Sequence, residues 1–185
     1  MAAAAVWRAM RESDLAAVLA LADLIHPDLP EDPAIFAERL ALCPEGCFVL
    51  DSGGLDAGPL DAGPLDAGGH IAGYTLAHPV RHLDPPPLNT LLGAIPPDAD
   101  AFFIHDVAIA PQMRGQGLAG PVVAALLAVA RGFPRACLVS VYGTVPFWER
   151  FGFVDASDAL PRGKLAGYGA DARFMLRPSR GQHDT

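Results

Sequence analysis

In the second half of the chain, a long apolar run, a turn with two glycines and a second apolar run follow one another directly. The first run, residues 101–110, is typical of a strand at the centre of a sheet, where both faces are covered. The turn contains Gly115 and Gly117, and residues 118–132 are typical of a helix that ends at Gly132. This order predicts an α/β fold with the turn at the end of a central strand.

Apolar periodicity and turn residues predict the remaining elements. A first helix is expected to begin after Ser13, which can cap it, and to end near Ile25. A second helix is expected to begin at Pro33. The element order predicts one α/β domain with a mixed sheet across residues 1–178, followed by a polar tail at 179–185. The other predicted strands cover residues 6–10, 47–51, 70–80, 136–142 and 172–178, and a short helix lies within residues 145–152.

Two irregular segments interrupt this pattern. Residues 53–69 repeat the unit LDAGP, and because a period of five fits neither a strand nor a helix, we interpret them as a low-complexity hairpin insertion. Residues 81–100 are rich in proline, and residues 88–92 within them are consistent with one helical turn. Long loops in compact domains are often parts of binding sites, so residues 81–100 are a candidate wall of a substrate pocket.

The length of 185 residues corresponds to about one domain. The longest apolar stretch, residues 118–130, is shorter than the ~20 residues that cross a bilayer, so we expect no membrane-spanning helix. The first residues lack a basic segment before their alanines, which favours a cytoplasmic protein over a secreted one. Cys43, Cys47 and Cys137 do not have the spacing of a metal site or a disulfide framework, and no metal is expected.

Charge is distributed unevenly along the chain, whose net charge is −8. Residues 12–106 contain sixteen acidic side chains but only Arg39 and Arg81, whereas residues 107–148 contain three arginines and no acidic side chain. A negative chain is unsuited to neutralise phosphates along a nucleic acid, so no nucleic-acid partner is expected. The second window predicts a site for an anion beside a region that attracts cations, unless residues 107–148 have few charges only because they are buried.

The glycine turn has the chemistry of a phosphate-binding site. The N-terminus of a helix presents unpaired backbone N–H groups, and glycines beside it let a phosphate approach the main chain. Gly115, Gly117 and Gly120 also match the GxGxxG pattern of dinucleotide-binding folds. That site requires an acidic residue about 20 residues later, and none lies between Asp106 and Glu149. The other alternative is that these glycines serve only a tight turn and helix packing.

Two segments resemble landmarks of the GNAT superfamily of N-acetyltransferases. QMRGQG, residues 112–117, matches the acyl-CoA motif Q/R-x-x-G-x-G/A, and VPFWERFGF, residues 145–153, is similar to the family's short aromatic helix followed by Gly-Phe. The resemblance implies a single α/β domain with a mixed, mostly antiparallel central sheet, helices on both faces, and strands four and five splayed. It also implies acetyl-CoA as the co-substrate.

The resemblance further implies where acetyl-CoA binds. Backbone N–H groups of the turn would hold the diphosphate, and the main chain at the end of strand four would pair with pantetheine. Phe147 and Trp148 are expected beside the cofactor or in the core. The implied cofactor-binding residues are Val107, Ile109, Gln112, Arg114, Gly115, Gln116, Gly117, Leu118, Ala119, Phe147 and Trp148.

Direct acetyl transfer to an amine requires a proton acceptor for the amine and a proton source for the departing thiolate. His105 is the candidate base, because imidazole titrates near neutral pH and strand four faces the site in this family, with a structural role as the alternative. Asp106 is either an amine-binding carboxylate or a structural acceptor, and a β-bulge would turn it toward the site. Many members of the family that this segment resembles have tyrosine where this chain has Trp148, so the candidate proton donor is Tyr142, Tyr168 or water.

Together these features predict an acetyl-CoA-dependent N-acetyltransferase that acts on a primary amine of a small molecule. Two alternatives stay open: a GNAT-like module that senses acyl-CoA without turnover, and an enzyme that acetylates protein N-termini or lysines. No membrane partner is expected, and a homodimer is compatible with the sequence. The acceptor amine is not identified by it.

Overall fold

The computed structural model describes residues 5–53 and 70–178. The predicted tail at 179–185 lies outside them, as do residues 54–69 of the predicted LDAGP insertion. In the described ranges, seven strands and four α-helices follow the order β, α, α, β, β, β, α, β, α, β, β. The elements are β1 (Val6–Ala9), α1 (Leu15–Ile25), α2 (Pro33–Leu42), β2 (Phe48–Asp51), β3 (Ile71–Val80), β4 (Ala101–Ile109), α3 (Ala119–Val129), β5 (Arg135–Ser140), α4 (Val145–Glu149), β6 (Val154–Asp155) and β7 (Arg173–Pro178).

All seven strands join one sheet in the order β1-β2-β3-β4-β5-β7-β6. Neighbouring strands are antiparallel except for β4 and β5, which run parallel. The pairing of β4 with β5 is short, because it joins only residues 101–104 to residues 135–138. The two strands therefore part beyond residue 104, which confirms the predicted splayed, mostly antiparallel sheet.

Helices cover both faces of this sheet. α1 and α2 pack on β2 and β3 in one core, which includes Val18, Phe36 and Tyr74. α3 and α4 pack on the other face against β4 and β5, where Leu126 and Trp148 are buried. The gap between β4 and β5 thus lies between two helical layers. In the part of the chain that the structure describes, no helix is both long and apolar enough to span a bilayer.

The start of α1 differs from the prediction. Ser13 does not cap the helix, because a 3₁₀ turn, Glu12–Asp14, precedes it. The buried carboxylate of Asp14 accepts the backbone N–H of Arg11 at 2.8 Å and pairs with the guanidinium of Arg8 at 2.7 Å. The carboxylate of Asp14 organises this end of the helix, and the predicted cap is wrong.

The segment between β3 and β4 also differs from the prediction, since residues 88–92 do not form a helical turn. Asn89 has a left-handed φ of 54°. The backbone N–H groups of Leu92 and Gly93 each donate to the carboxylate of Glu38 in α2 at 2.8 Å. These donors therefore bind α2 instead of closing a turn. The two residues of β6 are too few to produce a strand pattern in the sequence, so this strand is an addition to the predicted elements.

Candidate functional site

A β-bulge in β4 places two neighbouring side chains on one face of the sheet. The pairing of β4 with β3 shifts by one residue at His105. In a regular strand, His105 and Asp106 would point to opposite faces. With the bulge, both side chains reach the segment between α1 and α2, where they contact Glu31 and His26. The β-bulge that would turn Asp106 toward the site is thus present.

A cavity of about 860 Å³ opens where β4 and β5 part. This volume lies within the range of small-molecule sites in proteins. The glycine turn and the start of α3 line one part of it, and the side chains of His26, His105, Asp106 and Tyr142 line another. The cavity therefore joins a main-chain anion site to a group of titratable side chains.

The glycine turn presents unpaired main-chain N–H groups. Gly115 and Gly117 have φ values of 77° and 76°, which residues with a side chain adopt only at an energetic cost. A Cβ built on either glycine would meet no protein atom within 4 Å, so both open onto free space. Within the described ranges, the backbone N–H groups of residues 115–118 donate to no protein acceptor. The turn thus offers both donors and space to a diphosphate.

The polar side chains of the turn fold back onto its main chain. Nε of Arg114 donates to the carbonyl oxygen of Ile109 at 2.9 Å, and Nε2 of Gln116 donates to that of Gln112 at 3.3 Å. Arg114 lines the cavity, whereas Gln112 and Gln116 are exposed outside its lining. The two glutamines shape the turn rather than face the cavity.

The other predicted cofactor residues lie together. Trp148 is buried in the core beside α3 and also reaches the cavity, as the sequence left open. The guanidinium of Arg150 lies 5.1 Å from the ring centre of Phe147, which adds a positive charge to the same wall. The predicted cofactor residues that line the cavity are Val107, Ile109, Arg114, Gly115, Gly117, Leu118, Ala119, Phe147 and Trp148.

His105 is almost completely buried and bound to Glu31. Its Nε2 lies 2.6 Å from Oε2 of Glu31, and only 3% of its side chain is exposed. The other oxygen of Glu31 accepts the backbone N–H of Asn89 at 3.0 Å. Burial alone would raise the pKa of Glu31, but the hydrogen bond and charge of His105 outweigh it and hold that pKa below its ordinary value. Glu31 is therefore an ionised carboxylate at neutral pH.

Asp106 holds a second imidazole. Its Oδ2 accepts the hydroxyl of Tyr74 and lies 3.1 Å from Nε2 of His26. Burial alone would raise the pKa of Asp106, but the charge of His26 outweighs it and lowers that pKa. Burial also opposes a charge on His26, yet the carboxylate of Asp106 prevails and raises the pKa of His26 above 6.5. The two side chains therefore stabilise each other's charged forms.

The imidazole of His26 has unused hydrogen-bonding capacity. Both ring nitrogens are buried, and neither makes an aligned hydrogen bond to any described residue, so the contact with Asp106 is a charge pair. A buried polar atom without a partner costs free energy, so a hydrogen bond to either nitrogen would be stabilising. The imidazole lines the cavity, with its ring nitrogens covered and 18% of the side chain exposed.

Tyr142 stacks on His26. The ring centroids are 5.7 Å apart and the planes differ by 11°. Tyr142 has a left-handed φ of 53°, and 47% of it is exposed. Partial burial and the nearby carboxylates of Asp28, Asp106 and Asp171 raise the pKa of its hydroxyl above 10. The phenol is therefore protonated throughout the neutral range and is available as a proton donor.

Sequence reasoning missed His26 and Glu31. Their contacts depend on the bulge in β4 and on the path of the chain between α1 and α2, which local patterns do not reveal. A usable signal was nevertheless present, because residues 26–32, HPDLPED, place one imidazole and three carboxylates between two predicted helices. Functional side chains are concentrated in such connections.

Residues 81–100 do not line the cavity, in contrast to the expectation. Asn89 instead binds the segment between α1 and α2. Its N–H donates to Glu31, and its side-chain oxygen accepts the N–H of Asp32 at 2.6 Å. Tyr168 is also away from the cavity, because its buried hydroxyl donates to the carbonyl of Pro86 at 2.6 Å. Of the two candidate tyrosines, only Tyr142 faces the cavity.

The cysteines are buried thiols. Burial raises the pKa of Cys43, Cys47 and Cys137 to about 12 in each case, so none is a ready nucleophile. No three His, Cys, Asp or Glu side chains of residues 5–53 and 70–178 are grouped as metal ligands. The chemistry available in the cavity is therefore that of main-chain donors, imidazole, carboxylate and phenol.

Comparison with known families agrees with this geometry. Residues 19–153 match the model of the family described as Acetyltransferase (GNAT) family. The matched part contains the glycine turn, the bulged strand β4 and the aromatic helix α4. The sequence matches no curated protein.

Solved structures share the fold at low sequence identity. The loading GNATL domain of CurA from Lyngbya majuscula is 15% identical with a TM-score of 0.69, covering 96% of this chain and 98% of that one. Rv2747 from Mycobacterium tuberculosis, in complex with CoA and NLQ, is 20% identical with a TM-score of 0.61 over 94% and 98% of the chains. Naa50 from Arabidopsis thaliana, in complex with the bisubstrate analogue CoA-Ac-MVNAL, is 11% identical with a TM-score of 0.62 over 95% and 99%.

Proposed function

The chain belongs to the acetyltransferase (GNAT) family, and on that premise we propose that it transfers the acetyl group of acetyl-CoA directly to a primary amine of a small molecule. The observation that carries this proposal is one cavity that contains both the open N–H groups of the glycine turn and the Asp106–His26 pair. The first part suits a diphosphate, and the second suits a cationic amine.

The donor side of the cavity supports acetyl-CoA, which supplies the thioester. The free N–H groups of residues 115–118 and the positive end of α3 are suited to its diphosphate, and Arg114 and Arg150 add positive charge. Beyond residue 104, the edge of β4 that faces β5 pairs with no described strand. That free main chain can pair with the pantetheine amides. The solved structure of Rv2747 contains CoA on the same fold.

The acceptor side of the cavity is acidic. Asp106 lines it with 19% of its side chain exposed, and both of its protein contacts use Oδ2, which leaves Oδ1 for a ligand. Glu31, Asp28 and Asp171 lie close enough to influence the pKa values of His26 or Tyr142. An amine that arrives as an ammonium ion is attracted to such a site. Asp106 is therefore the proposed amine-binding carboxylate.

The amine must lose a proton before its nitrogen can attack the thioester carbon. Two imidazoles line the cavity, and both are proposed for this step. His105, the candidate from the sequence, has its Nε2 occupied by Glu31. His26 is more exposed, at 18% of its side chain, and has no aligned hydrogen bond to a described residue. Nδ1 of His105 also has no partner among the described residues, so the greater exposure of the His26 side chain is what favours His26 as the proton acceptor, with His105 positioning Glu31.

The departing thiolate needs a proton, and Tyr142 is the proposed donor. Its hydroxyl is protonated at neutral pH, as any phenol with a pKa of 10 or above is, and Tyr142 lines the same cavity. The stack of Tyr142 on His26 places the group that loses a proton beside the group that gains one. Over one turnover His26 gains a proton and Tyr142 loses one, and exchange with solvent at the exposed phenol and the cavity returns both groups to their starting protonation states.

A small acceptor is favoured over a peptide by the same stack. His26 belongs to the segment after α1, and Tyr142 follows β5, so their contact at 5.7 Å bridges the acceptor end of the cavity from two sides. A peptide needs an open groove that an extended chain can cross. Naa50 from Arabidopsis was solved with a peptide-bearing analogue on this fold, so a peptide N-terminus is the acceptor against which the small amine must be tested.

Donor binding is tested by calorimetry with acetyl-CoA on a matched pair of glycine variants. Gly117→Glu places a negative side chain in the proposed diphosphate site and is expected to abolish binding. Gly163 also has a positive φ, of 78°, and free space around a built Cβ, but it lies outside the cavity. Gly163→Glu therefore carries the same backbone cost and should bind normally. Equal affinity of both variants would contradict the proposed donor site.

Turnover is tested by thiol release from acetyl-CoA with a panel of small amines and N-terminal peptides. The proposal expects sustained release with at least one small primary amine and little release with peptides. Calorimetric binding without release from any acceptor would instead indicate an acyl-CoA sensor. Release with peptides alone would indicate a protein acetyltransferase.

A further inference from the structure

Trp7 connects the edge of the sheet to the glycine turn. It belongs to β1, which precedes the residues 19–153 that match the family model. Its indole Nε1 donates to the carbonyl oxygen of Leu118 at 2.7 Å, which joins two residues 111 positions apart in the chain. Leu118 is the residue that immediately precedes α3. The contact therefore acts on the last peptide of the turn.

Gly73 makes the room for this contact. Trp7 pairs with Leu50, Leu50 with Gly73, and Gly73 with Ile109, so the four residues form one row across four strands. A Cβ on Gly73 would lie 3.1 Å from the far edge of the indole ring. The missing side chain at this position lets the ring extend over β3 toward the turn. Trp7 and Leu118 then pack against the same core.

The hydrogen bond adds a second restraint on the orientation of a backbone donor, because the N-cap carbonyl of Leu118 also accepts the first hydrogen bond of α3. The carbonyl of Leu118 and the N–H of Ala119 belong to one planar trans peptide and point in opposite directions. Because the indole and the first turn of α3 both bind this carbonyl, the N–H of Ala119 is held in the opposite direction. Ala119 lines the cavity. The indole thereby restricts rotation of the peptide that borders the diphosphate site.

Other polar contacts of the turn come from its own residues. Arg114 binds Ile109 five positions before it, and Gln116 binds Gln112 four positions before it. In the described ranges, Trp7 is the single side chain from elsewhere that donates a hydrogen bond to residues 111–119. Two glycines with positive φ give this segment more backbone freedom than other residues would. A hydrogen bond from a distant side chain can therefore restrict its conformations.

We propose that Trp7 is a positioning residue for the diphosphate of the donor: its indole N–H holds the Leu118 carbonyl so that the backbone donors of the turn are set before the donor binds. The proposal rests on the donor site assigned above. Preorganised backbone donors bind an anion without the cost of ordering the loop at that moment.

The test compares Trp7→Phe with wild type on two donors. Phenylalanine keeps the apolar ring and removes the N–H, so the loss is restricted to one hydrogen bond. With acetyl-CoA, KM is expected to rise about three- to ten-fold, the usual effect of one such bond, with kcat nearly unchanged. With acetyl-pantetheine, which lacks the diphosphate, kcat/KM should stay within about two-fold of wild type.

The ratio of kcat/KM for the two donors is the decisive readout, because it does not depend on the fraction of enzyme that is folded. Tyr168→Phe is the matched control, since it removes another side-chain bond to a backbone carbonyl, outside the cavity. Its donor ratio should equal that of wild type. A ratio unchanged in Trp7→Phe overturns the proposal. Absence of CoA binding in wild type would instead overturn the proposed function itself.

Discussion

His26 and Asp106 form a charge pair in which Nε2 of the imidazole lies 3.1 Å from Oδ2 of the carboxylate. Asp106 can make this contact because the bulge at His105 turns it toward the segment after α1. The hydroxyl of Tyr74 binds the same oxygen and fixes the carboxylate from β3. This pair links the central strand to the candidate acceptor site.

Replacing Asp106 with Asn should shift the pH dependence of kcat/KM. Several charged or titratable groups surround His26: Asp106 and Glu31 raise its pKa, Arg114 lowers it, and Tyr142 stacks on it. A base works in its neutral form, so kcat/KM in wild type should rise with pH through a pKa above 6.5. Without Asp106, burial and Arg114 lower the pKa of His26, and the rise should move to lower pH. KM for a cationic amine should increase at the same time.

A pH–rate profile of the two enzymes with one amine measures this shift. Asp106→Glu is the matched control, because it retains the negative charge. Its kcat/KM should rise at nearly the same pH as that of wild type. If kcat/KM of Asp106→Asn rose at the same pH as that of wild type, the proposal that Asp106 raises the pKa of the catalytic base would be contradicted.

Replacing His26 with Asn should lower kcat by about 100-fold or more at neutral pH, which is the usual contribution of a general base. The affinity for acetyl-CoA should stay within about two-fold of wild type, because the donor binds in another part of the cavity. His105→Asn should have a smaller effect on kcat, through the position of Glu31. Steady-state rates with saturating acetyl-CoA measure both variants.

The choice of amine separates a base from a structural residue. An amine that is already uncharged at neutral pH, such as trifluoroethylamine, needs less help from a base, so the loss in His26→Asn should shrink with this acceptor. A loss of equal size with both amines would indicate misfolding of the site. If His105→Asn showed the acceptor-dependent loss and His26→Asn did not, His105 would be the base.

The sequence predicts those features that depend on interactions between residues close together in the chain. The strand, turn and helix from residue 101 onward are encoded by neighbouring residues, since the apolar runs and the left-handed glycines need no distant partner. The direction in which Asp106 points depends on a one-residue shift against β3, and alternation alone gives the opposite face. The contacts of His26 and Glu31 depend on how the segment between the first two helices packs against that strand, which local sequence patterns do not encode.

Other differences have the same origin. The proline-rich residues 81–100 were expected in the cavity, but Glu38 and Arg39 of α2 hold this segment elsewhere by binding its backbone N–H and C=O groups. Ser13 was expected to cap α1, but the carboxylate of Asp14 has a stronger set of partners. In each case a charged side chain with distant or competing partners determined the local conformation.

Replacing Asp14 with Asn should destabilise the fold in a pH-dependent way. The hydrogen-bonded Arg8 holds the pKa of Asp14 below 3.8, against the opposing effect of burial. A carboxyl group with a lowered pKa contributes stability above its unfolded value near 3.8 and loses that contribution as pH falls through its folded value. We expect a loss of about 1–2 kcal/mol at pH 7, since Arg8 is partly exposed, and a much smaller loss near pH 2.5.

Urea unfolding of wild type and Asp14→Asn at several pH values measures this difference. Asp98→Asn is a suitable control, because its pair with Arg81 is exposed and should contribute little. A pH-independent difference would show that Asp14 acts through packing instead of charge.

The central claim is that the backbone N–H groups of residues 115–118 bind the diphosphate of the donor. Amide NMR of the ¹⁵N-labelled protein tests it directly, since an N–H that donates to a phosphate oxygen shifts downfield. We predict that CoA moves the signals of Gly115, Gln116 and Gly117 strongly, and that pantetheine, which has no diphosphate, leaves them nearly in place. Binding of CoA without movement of these three signals would contradict the account.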